Sequence, residues 1–253
     1  MEYPMQRFYQ TEWQGIPFAS FARTSCVNLP DAAFYAAFYE AFFRKRRSFS
    51  EMSASWTAQK DAWAAKILSC LPASGTPQVL SVGCGLGYVE KALLEKRADI
   101  RLHCTEIAET PLRWLRPLLP EGRCHIGYVP DCLPPALTFD LIYCGSIEYA
   151  MPDDIWLRLL QALRARLTAG GELVILSASI RRDAPMSPLG YVRRCRQLLQ
   201  ILRSFLGLEA AQFWGWMRTV EEITALCRKA GLSRIEYGPL GGDPSCFWLR
   251  ARP

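Results

Sequence analysis

The stretch VLSVGCGLGYVEKAL, residues 79–93, runs from a short apolar segment through three glycines into a helical pattern. Strand-to-turn-to-helix passages of this kind hold several cofactors, because glycine adopts positive φ and lets the backbone approach a ligand closely. The spacing separates the candidates. A Walker loop requires GxxxxGK followed by Ser or Thr, and no lysine stands in that place. A dinucleotide fingerprint requires GxGxxG, but counting from Gly83 the sixth position is Tyr88, where glycine would allow close helix–strand packing. What remains is GxGxG, filled by Gly83, Gly85 and Gly87.

Outward from this turn the chain alternates. QVLSV, IRLHCTE, RCHIGYV, FDLIYCGS and ELVILSAS read as strands, and YVEKALLEK, TPLRWLRPLL and DDIWLRLLQALRARL as helices, the last stopped by Gly170 and Gly171. VEEITALCRKA is a further helix, opened by Thr219 and Glu222 at capping-box spacing and closed by Gly231. SRIEYG and CFWLRAR then form a closing hairpin. Nearly continuous apolar strands alternating with helices predict an α/β fold: a mainly parallel seven-stranded sheet, helices on both faces, and a C-terminal antiparallel hairpin. Two helices precede it, one capped by Asp31 and running to Arg44, the other over residues 57–71. The expected division is an aromatic N-terminal segment with a helical cap, residues 1–75, and a core over residues 76–253. An insertion spans residues 181–218. Within it residues 190–207 form an amphipathic helix with an arginine-rich face, read as a lid, a subunit interface, or an attachment to an anionic membrane surface.

Composition narrows the class. Half of the 253 residues are apolar and the net charge is +6, which suits a well-packed core and permits an anionic partner such as nucleic acid without calling for one. The ten cysteines contain no CxxC pair, so they are read as reduced thiols of a cytoplasmic protein. No signal peptide and no membrane-spanning apolar run is expected.

The GxGxG turn and the segments that follow it, over residues 78–180, resemble the class I methyltransferases, which use S-adenosylmethionine (SAM). The resemblance implies that Ser81, Gly83, Cys84, Gly85 and Gly87 wrap the methionine and ribose parts of that cofactor. It implies a ribose contact from Glu106, which ends IRLHCTE, and an adenine contact from Asp131 in YVPDCLP, with Cys132 beside it. FDLIYCGSIEYAMPDD is similar to the family's FDxVxxxxxLEH segment, which places Cys144 and Gly145 at the cofactor and Glu148 and Tyr149 nearest the chemistry. Two departures stand out. Ser81 occupies a position where the family commonly has Asp, and Glu90 either restores a nearby negative charge or simply favours a helix's first turn. Tyr149 stands where many relatives carry His, so no metal is expected.

The cofactor carries the methyl-transfer chemistry, leaving the protein to align the acceptor and remove its proton. His103 and His125 fall in predicted strands and read as structural. The acceptor walls are expected from FYQTEWQ and FWGWMRT, through Tyr9, Trp13, Trp214, Trp216 and Arg218, whose aromatic faces and single cation suit a small molecule or glycan. A weaker resemblance, in SVGCGxGxxE and FWGWxRTxEE, is to methyltransferases of bacterial surface-glycan biosynthesis, and implies O-methylation of a sugar or phosphate-linked glycan. Two other classes compete. A nicotinamide oxidoreductase is opposed by Tyr88 and the glycine spacing, while a non-catalytic SAM-fold partner subunit is kept open by Ser81 and the lack of a histidine base. The oligomeric state is left open.

Overall fold

The computed structural model describes residues 7–10, 12–21, 30–177, 192, 195, 198–199, 202, 206, 213–240 and 243–253. Before the sheet come three short strands, β1 (Arg7–Gln10), β2 (Glu12–Trp13) and β3 (Ile16–Pro17), then helices α1 (Ala32–Lys45) and α2 (Ala54–Cys70). The core follows as β4 (Gln78–Val82), α3 (Tyr88–Lys96), β5 (Arg101–Glu106), β6 (Cys124–Ile126), β7 (Phe139–Gly145), α4 (Asp153–Arg164) and β8 (Leu167–Ser177). It closes with β9 (Phe213–Trp216), the helix Val220–Lys229, here α5, and strands β10 (Arg234–Leu240) and β11 (Asp243–Arg252).

The expected seven-stranded sheet is present, in the order β10-β11-β8-β7-β4-β5-β6. Its β6, β5, β4, β7 and β8 run parallel, and β11 pairs antiparallel with both β8 and β10. Side chains alternate across it as strand geometry requires. Val79, Leu141, Tyr143, Val174 and Leu176 pack with Trp63, Ile67, Val89 and Leu93 of α2 and α3. Leu80, Val82, Ile142, Cys144, Leu173 and Ile175 pack with Trp156, Leu160 and Leu163 of α4 and Ile223 and Leu226 of α5. The alternation matters at Ser81, which shares the α3 face and is 1% exposed. A third cluster gathers Ile16, Phe18, Phe38, Phe42 and Phe43, with Trp13 and Trp114 at its edge.

The expected caps are in place. Asp31 accepts from the Phe34 amide at 2.8 Å, and Thr219 and Glu222 complete a reciprocal capping box. Helix α2 begins earlier than expected, because Ser53 caps it by accepting from the Trp56 amide. Two expectations fail for physical reasons. TPLRWLRPLL forms two 3-10 turns, Thr110–Arg113 and Arg116–Leu118; Pro111 and Pro117 lack amide hydrogens and cannot sustain an α-helical ladder. Gly170 and Gly171 do not stop α4, which ends at Arg164; they lie inside β8, where a Cβ on Gly171 would sit 2.8 Å from the Phe139 carbonyl.

An element absent from the sequence reading joins the chain's two flanks. Strands β1 and β9 pair antiparallel, with Arg7 opposite Trp216 and Tyr9 opposite Trp214. Most of the expected helix at 190–207 lies outside the described residues; of those described, Val192, Leu198, Leu199, Leu202 and Leu206 are at least half exposed. Among the described residues no helix is long and apolar enough to cross a membrane.

Candidate cofactor-binding site

The glycine turn sits at the carboxyl end of β4, pinned to its neighbour. The Gly83 and Cys84 amides both donate to the Thr105 carbonyl, at 3.0 and 3.2 Å, and the Gly87 amide donates to the Cys84 carbonyl at 3.1 Å. Gly83, Gly85 and Gly87 take φ of +68°, +57° and +82°, a region that L side chains avoid. Packing adds a second demand. A Cβ on Gly83 would meet Ile147 Cγ2 at 2.6 Å, and one on Gly87 would meet Leu115 Cβ at 2.5 Å. At Gly85 the nearest atom is the Tyr39 hydroxyl at 3.1 Å, so a polar α1 side chain borders the middle of the turn.

Glu106 closes the turn from the end of β5. Its Oε1 accepts from the Gly85 amide at 2.6 Å and its Oε2 from the Ile107 amide at 3.2 Å. The side chain is 8% exposed. Burial pushes its pKa up to about 7 against the opposing pull of the two amides. A carboxylate held at a turn of this kind can accept from paired hydroxyls.

Beneath the turn lies a second carboxyl group. Glu90, in the first turns of α3, is 1% exposed. Its Oε1 accepts from the Ser81 hydroxyl at 2.5 Å and the Tyr143 hydroxyl at 2.7 Å. Glu90 Oε2 is buried with no hydrogen-bond partner. Burial raises its pKa although both hydroxyls oppose the shift. A carboxyl group is thus brought to the end of β4 from α3, with the Ser81 hydroxyl donating to it.

The end of β7 brings the remaining residues to the same edge. Gly145 lies against Trp63, whose ring would be 2.9 Å from an added Cβ. Cys144 is fully buried in the core under α4. Glu148 follows in a 3-10 turn and is 2% exposed. Its Oε1 accepts from the Ser177 hydroxyl, and its Oε2 is buried without a hydrogen-bond partner. Burial raises its pKa over the opposing pull of Ser177 and Arg218. Tyr149 packs at the edge of the aromatic cluster, and burial pushes its phenol upward, so it stays protonated at neutral pH. Asp131 is exposed on the loop after β6, and Cys132 packs part-buried against the second core cluster.

The expected acceptor walls divide. Tyr9 and Trp214 meet as a backbone pair; their side chains lie outside the described residues. Trp13 stacks on Phe42 at 6.2 Å and tilts onto Phe38 at 5.2 Å, within the aromatic cluster. Trp216 is 7% exposed. Arg218 is 4% exposed. Its Nε donates to Asp153 at 2.8 Å, Nη1 to the Glu148 carbonyl at 2.6 Å and Nη2 to the Met151 carbonyl at 2.6 Å. That guanidinium thus shapes the turn carrying Glu148 and Tyr149. His103 and His125 stack on each other, 3.1 Å apart between ring nitrogens, on β5 and β6.

Helix α2 contributes a group that the sequence reading passed over. Trp56, Lys60 and Trp63 line one cavity with Ser81, Glu90 and the glycine turn. Their i, i+4, i+7 spacing was the available signal, one shared with ordinary core packing.

Sheet order, glycine turn and acidic strand end together define the fold of the class I methyltransferases. Solved structures with this fold include the mitomycin 7-O-methyltransferase MmcR, at 19% identity and a TM-score of 0.59, covering 88% of this chain and 64% of that one. Others are human N-acetylserotonin methyltransferase in complex with SAM, at 15% identity, TM-score 0.55 and coverage of 88% and 56%, and PigF with SAH, at 17%, 0.58, 88% and 60%. The chain spans less than two thirds of the length of each. No family model matches the sequence, and no curated protein matches it.

Proposed function

We propose that this chain is a SAM-dependent methyltransferase acting on the oxygen of a small-molecule acceptor. The observation that carries the reading is Glu106, a buried carboxyl group at the end of β5 whose Oε1 grips the middle of a left-handed glycine turn. Two further features of the site fit SAM. The Tyr39 hydroxyl borders the middle of the turn at Gly85, and Glu90, with one oxygen unpartnered, lines the cavity beside the turn. Neighbours of the same fold include a mitomycin 7-O-methyltransferase, an N-acetylserotonin methyltransferase in complex with SAM, and PigF with SAH. Those activities favour a small molecule as acceptor over a glycan.

Bound SAM would supply a methyl group on a sulfonium, a leaving group that needs no further activation. The chain's residues then have four tasks. Glu106 would accept from the ribose hydroxyls of bound SAM, and Asp131 and Cys132 would stand on the adenine's side. Glu148, raised by burial and with one oxygen unpartnered, takes the acceptor's proton. Tyr149, protonated at neutral pH, donates a hydrogen bond to the acceptor. Arg218 positions both by tying the turn through the Glu148 and Met151 carbonyls.

Calorimetry tests the cofactor. Micromolar SAM binding with none of NADH is expected, and binding of NADH alone would sink the reading. Glu106→Ala is expected to weaken SAM by about 1.5–3 kcal/mol, the range for hydrogen bonds to a charged group. Undiminished affinity in a folded variant would remove Glu106 from the ribose role. Transfer of label from SAM to a panel of phenols and sugars would then identify the acceptor.

A further inference from the structure

We infer that the apolar face carried by Val192, Cys195, Leu198, Leu199, Leu202 and Leu206 is a docking surface for an anionic lipid bilayer, with the helix lying in the plane of the headgroups. The inference does not rest on the SAM reading, and either can fail alone.

Val192, Cys195, Leu198, Leu199 and Leu202 are helical, and the Leu206 amide donates to the Leu202 carbonyl at 3.0 Å. At 3.6 residues per turn these six positions fall within an arc of about 120°, so they share one apolar face. That face is open. Val192 is 50% exposed, Leu198 57%, Leu199 59%, Leu202 55% and Leu206 64%, and Cys195 is exposed with them. None of the six belongs to any of the three core clusters. Among the described residues, five of the nine exposed large hydrophobics lie in this one segment. Singly scattered apolar side chains are ordinary on a surface, whereas a contiguous row of them marks an interaction site.

Charge decides what covers the row. Between residues 184 and 208 the sequence contains Arg193, Arg194, Arg196 and Arg203 and no acidic residue. A second copy of the segment would bring four arginines to another four, with no carboxylate to pair any of them. Helices that pair in water instead set opposite charges beside their apolar seam. Leu198 also widens the face beyond the alternating three- and four-residue spacing of Val192, Cys195, Leu199, Leu202 and Leu206, which alone would make a two-helix seam.

A bilayer surface containing acidic phospholipid answers both features. Its acyl chains receive the aliphatic row, and its phosphates accept from arginine guanidiniums. The whole chain's net charge of +6 adds attraction of the same sign. Among the described residues no helix can cross a membrane, so the contact lies on the surface and does not span it.

Sedimentation of the full chain with vesicles tests this. Binding is expected to vesicles of equal parts phosphatidylcholine and phosphatidylglycerol. It should fall at least roughly tenfold on phosphatidylcholine alone, and fall likewise in high salt. Arg196→Gln and Arg203→Gln should each weaken it roughly fivefold, the share of one cation near an anionic surface. Leu199→Asp and Leu202→Asp should each weaken it at least roughly tenfold, by removing an aliphatic side chain from the acyl boundary. Both leucines are more than half exposed, so both variants should keep the thermal midpoint of the unsubstituted protein, which separates lost docking from lost folding. The inference is overturned if the unsubstituted protein ignores the mixed vesicles, or if the leucine variants bind them undiminished. Sedimentation velocity reads the competing occupant: a dimer that Leu199→Asp and Leu202→Asp dissociate would assign the face to a second copy and overturn the inference as well.

Discussion

Gly87 carries two constraints on one atom's absence. Its φ of +82° is strained for any L side chain, and a Cβ would approach Leu115 to 2.5 Å, against a side chain that is fully buried. Strain and overpacking together should make Gly87→Ala cost about 2–4 kcal/mol. Urea unfolding checks this, with a lower midpoint at unchanged slope as the expected outcome. At this scale the sequence was legible where a residue's role is set by its own backbone, as with the three glycines. Glu90 was ambiguous because its role depends on Tyr143, which lies far along the chain and converges with it only in the folded sheet. Arg218 was misleading in isolation. A lone cation beside aromatics suggests a ligand, but here three protein acceptors occupy it.

Elements announced themselves through their ends. Helix α5 is bounded by Thr219 and Glu222, whose side chains each serve the other's backbone amide, at 3.2 and 2.8 Å. Because α5 contributes Ile223, Leu226 and Cys227 to the core over β7 and β8, the cap secures a packed face as well as a helix terminus. Thr219→Ala should lose about 1 kcal/mol, and Thr219→Ser most of that loss restored; thermal or urea denaturation of both variants measures it. The segment at 110–119 shows the limit of periodicity. Its apolar spacing suits a helix, yet two prolines override it, and the segment still buries Leu112 and Leu115 completely. Strand β9 had no such end signals. Its partner is β1, and neither strand has meaning without the other.

For the whole molecule, the two cores on either side of the sheet follow from the period-two alternation of the strands, which is why the architecture could be read without any aligned relatives. The site's response to pH follows from the burial of Glu106. Glu106 has a folded-state pKa of about 7, above the usual carboxyl value, so the stability it contributes is present below about pH 4.5 and is lost as pH rises through 7. Hydroxyl donors favour its charged form, so cofactor affinity should rise between pH 6 and 8 on its account. Calorimetry across this range should find that rise flattened in Glu106→Gln.

The pairing of β1 with β9 has a consequence for how the protein is made. Arg7 leaves the ribosome well before its partner Trp216, which follows only after the parallel strands and α4 have been synthesised. Contacts between such distant segments carry a large loop-closure cost and form late. The nascent chain can thus assemble its glycine turn, Glu90 and Glu106 before β9 exists, and the β1–β9 pairing is added afterwards.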